Sequence, residues 1–139
     1  MYAVSVEELR AQGREIVAPG GMSRLVRFIL AADELGFSLS DVRLKAGRES
    51  TLWYKNHWEA NYVVAGEGTV TDLATGTVLN LHAGLCYVVG PKDRHVLKAT
   101  ADLHVVSIFN PPLTGAETRN PDGSLPATQQ PPPGPPHQR

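Results

Sequence analysis

Two stretches of the 139-residue sequence carry more side-chain chemistry than a strand or a turn requires. The first, GRESTLWYKNHWEANYVVAGEG, runs from Gly47 to Gly68 and holds His57 and Glu59. The second, GTVLNLHAGLCYVVGPKDRH, runs from Gly76 to His95 and holds His82, Tyr87 and His95. Imidazole and carboxylate groups hold divalent cations and also move protons near neutral pH. Taken singly they say little, because a lone Glu on a strand is ordinarily solvated and a lone Tyr or His ordinarily satisfies a structural hydrogen bond. Their faces say more. Side chains alternate along a strand, so His57, Glu59, Asn61 and Val63 share one face, and Leu85, Tyr87 and Val89 share a face that Cys86 and Val88 do not. His57 beside Glu59 is open to three roles, as a ligand, an orienting neighbour or a proton carrier, and we expect one of the last two. His82, at a turn, together with His104 and His137, reads as structural or solvated.

The elements that must position these groups are short and mostly extended. Ser5 followed three residues later by Glu8 is a capping box that opens one short helix, and Gly13 closes it. Beyond Pro19-Gly20-Gly21 come segments rich in β-branched and aromatic residues: 25–30, 37–46, 59–64, 69–72, 78–81, 85–89, 95–99 and 103–109. Glycine and proline separate them at Gly47, Gly66 to Gly68, Gly76, Gly84 and Pro91. Many short strands with such punctuation and one helix predict an all-β sandwich or barrel. From Pro126 the chain reads PATQQPPPGPPHQR, with no large apolar side chain, which predicts a single domain over 1–125 and a flexible Pro-rich tail over 126–139.

Composition excludes several classes of partner. Hydrophobic residues make up 42% and charged residues 19%, enough apolar content for a packed core, and the net charge of −1 offers no basic stripe for nucleic acid. No apolar run approaches the ~20 residues that span a bilayer, and no signal-peptide core opens the chain. We therefore expect a cytoplasmic protein with neither nucleic acid nor membrane as partner. Cys86 is the one cysteine, so neither an intrachain disulfide nor a cysteine-only zinc site can form.

The spacing of the two stretches resembles the paired motifs of the cupin superfamily. There the first motif supplies two His and a Glu and the second one more His, all turned into a jelly-roll β-barrel around a divalent metal. Glu59 and His95 fall at the matching places, but the usual His-x-His has become Trp53-Tyr54-Lys55. Two protein donors hold a catalytic metal poorly, and alternation makes Tyr87 a lumen-facing candidate for the third. Glu59, Tyr87 and His95 form a mixed O,O,N set suited to iron(II), with zinc or another divalent metal as alternatives. A phenol ionises only near pH 10, so the cation itself must promote loss of its proton.

A closer resemblance covers about Val4 to Pro126. WYKNHWEANYVVAGEGTVTDLATG, GLCYVVGPKDRHVLKA and above all FNPPLTGAETRNPDGSLP look like the ectoine synthase family. That resemblance implies an iron-dependent hydro-lyase closing N-γ-acetyl-L-2,4-diaminobutyrate into ectoine with loss of water, and a homodimer. It places the metal ligands on Glu59, Tyr87 and His95. It also puts Tyr54, Phe109 and Glu117 at the substrate site, Glu117 receiving the amine and Tyr54 donating to a carboxylate or carbonyl.

Other positions depart from the family. Its Trp-x-Ser-x-Arg stands as Gly21-Met22-Ser23-Arg24-Leu25, and Arg27, on the face of the lost Arg, is expected to replace it. A usual Thr has become Val42, a frequent Cys has become Ser107, and Arg119 stands where His is common. We expect Arg27, Val42, Ser107 and Phe109 at the substrate and His57 beside the chemistry. Two other readings stay open on these departures. One is a paralogue acting on another acylated diamino acid, ring opening included; the other is a non-catalytic cupin that binds a small ligand.

Overall fold

A computed structural model describes residues 1–128 of the chain. Its helix, α1 (Val6–Ala11), begins as the capping box requires: Ser5 Oγ accepts from the Glu8 amide and Glu8 Oε2 accepts from the Ser5 amide. One face of α1 buries Leu9. The rest of the described chain is strand, turn and two single-turn 3-10 segments.

Ten strands follow among the described residues: β1 (Glu15–Val17), β2 (Ser23–Ile29), β3 (Ser38–Leu44), β4 (Glu49–Leu52), β5 (Trp58–Ala65), β6 (Glu67–Asp72), β7 (Val78–His82), β8 (Cys86–Val89), β9 (His95–Ala99) and β10 (Leu103–Asn110). They pair antiparallel into two sheets, β1-β2-β3-β10-β5-β8 and β4-β9-β6-β7. The all-β expectation holds. The sequence reading overlooked β1 and β4. β1 is a three-residue strand at a sheet edge, and β4 reads Glu-Ser-Thr-Leu, too polar for apolar alternation to mark it.

The core lies between the sheets, built from Leu44, Val63, Val70, Leu81, Val89, Leu103 and Val105. Alternation is clean where it matters. His57, Glu59, Asn61 and Val63 are buried while Trp58, Tyr62 and Val64 are exposed; Tyr87 and Val89 are buried while Cys86 and Val88 are exposed. Gly66 alone separates β5 from β6. Its φ of +95° and a carbonyl of Asp102 lying 2.0 Å from where a Cβ would sit leave room for no other residue.

Register stacks inward side chains into rows across the six-stranded sheet. Arg27, Ser40, Ser107, Asn61 and Tyr87 are successive partners on β2, β3, β10, β5 and β8, a polar row spanning five strands. The next row is apolar: Leu25, Val42, Val105 and Val63. On the other side of the polar row, Ser38, Phe109, Glu59 and Val89 are partners. Of the expected tail, Pro126 to Thr128 fall within the described residues, and the remainder, His137 included, lies outside them.

Candidate active site

A cavity of about 300 Å3 opens between the sheets, lined by Tyr54, Glu59, Asn61, Tyr87, Ser107 and Phe109 on one side and by Arg27, Ser40, Val42, Glu117 and Arg119 elsewhere. Glu59 is 6% exposed, and each of its oxygens is held: Asn61 Nδ2 donates to Oε1 at 2.7 Å and the Ser107 hydroxyl to Oε2 at 2.8 Å. Burial pushes this carboxyl up to about 7, against the pull of those two hydrogen bonds and the Arg119 charge. Tyr87 stands opposite Asn61 on the neighbouring strand. Burial first, and then the Glu59 charge, raise its phenol far above the ordinary range, so it keeps its proton unless a cation displaces it.

His95 opens β9 in the other sheet and is 1% exposed. Its Nδ1 lies 2.7 Å from the Asp93 carbonyl oxygen, which can only accept, so Nδ1 carries the proton. Burial lowers the ring's proton affinity despite that bond and the charges of Asp93 and Asp72, which leaves a neutral imidazole. Its Nε2 is buried with no hydrogen-bond partner among the described residues. A buried bare lone pair whose opposite nitrogen is anchored on a carbonyl is the usual posture of a metal-binding histidine. No three His, Cys, Asp or Glu side chains gather as a metal-binding group among the described residues; the cavity adds the Tyr87 phenol to the Glu59 carboxylate. The available donors fit a divalent cation.

Tyr54 joins the two sides. Its ring centroid is 5.8 Å from that of His95 and 4.9 Å from that of Phe109, edge-on to the latter. Burial raises its phenol well above the ordinary range, the Glu59 charge adds to this, and the Arg119 guanidinium facing its hydroxyl opposes it. Tyr54 therefore remains a hydrogen-bond donor. His57 is fully buried, with its ring edge-on to Phe109 at 5.9 Å. Its Nε2 is 2.9 Å from Thr128 Oγ1, and the Thr128 hydroxyl donates to the Pro112 carbonyl at 2.8 Å. With that hydroxyl proton committed to Pro112, Nε2–H must be the donor, and Nδ1 is left as a buried base with no partner among the described residues. Burial lowers the His57 proton affinity, against the Glu117 charge.

Arg27 lines the cavity and donates to the Gly115 carbonyl at 2.9 Å. Glu117 binds back into its own loop: Oε1 accepts from the Thr114 amide and hydroxyl, and Oε2 from the Gly115 amide at 3.0 Å. Burial works to raise this carboxyl, but the loop donors prevail and hold it below the ordinary range. Val42 lines the cavity from β3. Of the expected residues, Tyr54, Glu59, Tyr87, Arg27, Val42, Ser107, Phe109 and Glu117 line the cavity, with Ser107 directed at Glu59 and Arg27 at the loop that carries Glu117. His95 and His57 do not line it and sit instead against Tyr54 and Phe109. Asn61, Ser40, Arg119 and Thr128 were missed as site residues. Face alternation already put Asn61 beside Glu59, whereas Thr128 lies in a stretch whose composition signals only a solvated tail.

A family model described as ectoine synthase matches residues 1–129. The chain belongs to the ectoine synthase family. Among ectoine synthase relatives, the L-ectoine synthase of Desulfosudis oleivorans is 44% identical over 125 residues, covering 89% of this chain and 95% of that protein. The L-ectoine synthase of Alkalilimnicola ehrlichii is 42% identical over 125 residues, covering 89% and 93%. The crystal structure of ectoine synthase from P. lautus superposes with a TM-score of 0.77 at 36% identity, covering 84% of this chain and 82% of that one. An RmlC-like cupin from Shewanella frigidimarina shares the fold, with a TM-score of 0.57 at 22% identity over 72% and 86% of the two chains. The cupin jelly roll expected for an ectoine synthase is therefore the observed architecture, and no helix among the described residues is long and apolar enough to cross a membrane.

Proposed function

We propose that this chain is a hydro-lyase that cyclises N-γ-acetyl-L-2,4-diaminobutyrate to ectoine, with Glu59, Tyr87 and His95 holding iron(II) and with zinc or another divalent metal as alternatives. The observation that carries the reading is the bare, buried His95 Nε2, whose ring packs near Tyr54, itself part of the wall of the cavity that Glu59 and Tyr87 line. In the reaction the α-amine nitrogen bonds to the carbon of the substrate's own acetamide, a C=N bond closes, and the oxygen leaves as water with two of the three protons those nitrogens carried. A divalent cation, when bound, polarises the amide carbonyl and offsets the charge that grows on its oxygen.

The chain's own residues do the remainder. Arg27 and the hydroxyls of the polar row bind the substrate carboxylate and hold the flexible chain bent, bringing amine and carbonyl into near-attack geometry. The half-buried cavity favours the neutral amine that must attack, and by limiting water it opposes simple hydrolysis of the amide. Tyr54, kept protonated by burial, donates to a substrate oxygen. Glu117 orients the amine from its braced loop, and His57 Nδ1, a buried lone pair with no partner among the described residues, takes up a proton shed by the ring nitrogens. Phe109 walls the pocket, Val42 and Ser107 shape it, and Ser107 also steadies Glu59.

We further propose a homodimer in the cytoplasm. Support for the dimer comes from the exposed apolar outer face of β5 and β8, where Trp58, Tyr62, Val64 and Val88 lie. The decisive experiment supplies the anaerobic, iron(II)-loaded protein with N-γ-acetyl-L-2,4-diaminobutyrate and follows the amidine by NMR. Ectoine is expected; absence of product at full metal occupancy sinks the reading.

A further inference from the structure

Arg24, Arg27, Arg48 and Arg119 line the cavity, and all but one are engaged. Arg24 donates to Glu15 at 2.8 Å, Arg27 to the Gly115 carbonyl at 2.9 Å and Arg119 to the Gly123 carbonyl at 2.9 Å. Arg48 is different. Its side chain makes no hydrogen bond or ion pair among the described residues, and its Nε is buried and bare. The backbone that carries it is fixed on both sides: the Arg48 amide donates to the Lys45 carbonyl at 3.0 Å, and the Arg48 carbonyl accepts from the Ala99 amide at 2.9 Å.

Two more unengaged groups line the same end. Ser23 opens β2 opposite Leu44, the last residue of β3, and the turn from Lys45 to Gly47 leads from there to Arg48. Ser50 lies two residues beyond Arg48, on the half-buried face of β4 that also carries Leu52. Neither serine hydroxyl has a hydrogen-bond partner among the described residues. Ser23, Arg48 and Ser50 are each partly exposed, so ions reach them from solvent. This end is separate from the substrate's. Four residues of β2, about 13 Å of strand, divide Ser23 from Arg27, and Leu25 and Val42 stand between them. The carboxylates that line the cavity sit away from it, Glu59 beyond the polar row and Glu117 in the loop that Arg27 braces.

A buried guanidinium N–H without an acceptor is costly, and the planar fork of an arginine matches a group that offers two anionic oxygens. We infer that Arg48, Ser50 and Ser23 form a second anion subsite of the cavity. It takes a small oxyanion, the carboxylate of an organic acid or a phosphate, seated against the Nε edge of Arg48 with the two hydroxyls donating to its other oxygens. The subsite goes beyond the cyclisation proposed above and leaves its substrate unchanged, because the polar row and this end are occupied independently.

The test titrates the full, zinc-loaded chain with inorganic phosphate and, separately, with acetate at constant ionic strength, chloride being the reference salt. The arginine Nε–H signals are followed by proton–nitrogen-15 NMR, and Arg48→Lys identifies the Arg48 signal by its loss. A saturable shift of that signal is expected, with the Arg27 signal unmoved. Ser50→Ala, which leaves Arg48 in place and serves should Arg48→Lys not fold, is expected to weaken the binding about ten-fold. The anion that binds more tightly assigns the ligand as phosphate or carboxylate, and either one upholds the subsite. An Arg48 signal that neither anion moves, or that chloride moves equally, overturns it, and so does binding unchanged in Ser50→Ala. All of these outcomes are read without turnover, so the proposed cyclisation stands or falls separately.

Discussion

Ser107 on β10 donates its hydroxyl proton to Glu59 Oε2 at 2.8 Å, across the strand pair that also sets Ser107 opposite Asn61. Asn61 holds the other oxygen at 2.7 Å, so a nearly inaccessible carboxylate has both oxygens fixed from its own sheet. Removing either donor leaves a buried acceptor short of a partner. Ser107→Ala is expected to destabilise the protein by about 1–3 kcal/mol, read from urea unfolding. An unchanged midpoint means Glu59 is not held as described.

Metal content tests the donor set directly. Tyr87→Phe, Glu59→Gln and His95→Ala should each lower the iron retained per chain after anaerobic purification, and activity should fall in step. The loss should exceed the ~10–100-fold that follows removal of an outer hydrogen-bond partner of a metal site. Elemental analysis of matched preparations measures it, and full metal in Tyr87→Phe removes the phenol from the set.

Thr128 ties the end of the described chain to His57 and to the Pro112 carbonyl. Thr128→Val keeps the shape and deletes both bonds. The His57 ring then loses its reason to carry the proton on Nε2, and the tautomer should shift. Nitrogen-15 NMR of the ring reports this, with the signals of Nδ1 and Nε2 moving toward each other; unchanged signals dismiss the tether.

Acid should act on the loop of Glu117. Its carboxyl in the folded protein is held by the loop donors below the ordinary glutamate value of about 4.3, so in the window beneath that value the unfolded chain binds more protons than the folded one. Stability contributed by this group is present above the window and is lost as pH falls through the folded value. Wild type should therefore lose more stability on acidification than Glu117→Gln does, in unfolding curves taken across that range. Parallel loss in both proteins refutes the assignment.

Gly66 and Gly76 separate two costs. At Gly76 an added Cβ meets nothing within 4 Å, and only the positive φ of +75° is penalised, so Gly76→Ala should cost about 1–2 kcal/mol. At Gly66 the same penalty comes with the Asp102 backbone lying where the methyl would go. Gly66→Ala should lose at least twice as much by chemical denaturation, and equal losses exclude the clash.

The site was more legible in the chain than its supports were. Period-two alternation put Glu59 with Asn61 and Tyr87 with Val89, and burial follows that pattern residue by residue. Ser5 and Glu8 announced the helix because a capping box is local chemistry. β4 was illegible because the charge and hydroxyls of Glu49, Ser50 and Thr51 hide a strand that tertiary pairing with β9 creates. The bond from Arg27 to Gly115 joins residues 88 positions apart, and no pattern within either segment encodes it. Nor does a Pro-rich stretch reveal that one threonine in it sets the protonation of a histidine 71 residues earlier.

The alternation along β8 also has a practical use. Cys86 is exposed and is the one thiol in the chain, and it adjoins Tyr87, whose ring is turned the other way. Cys86 also stands directly opposite Tyr62 on the outer face proposed for the dimer contact, so a maleimide there reads assembly: the thiol is shielded while two copies are joined and reacts freely once dilution parts them.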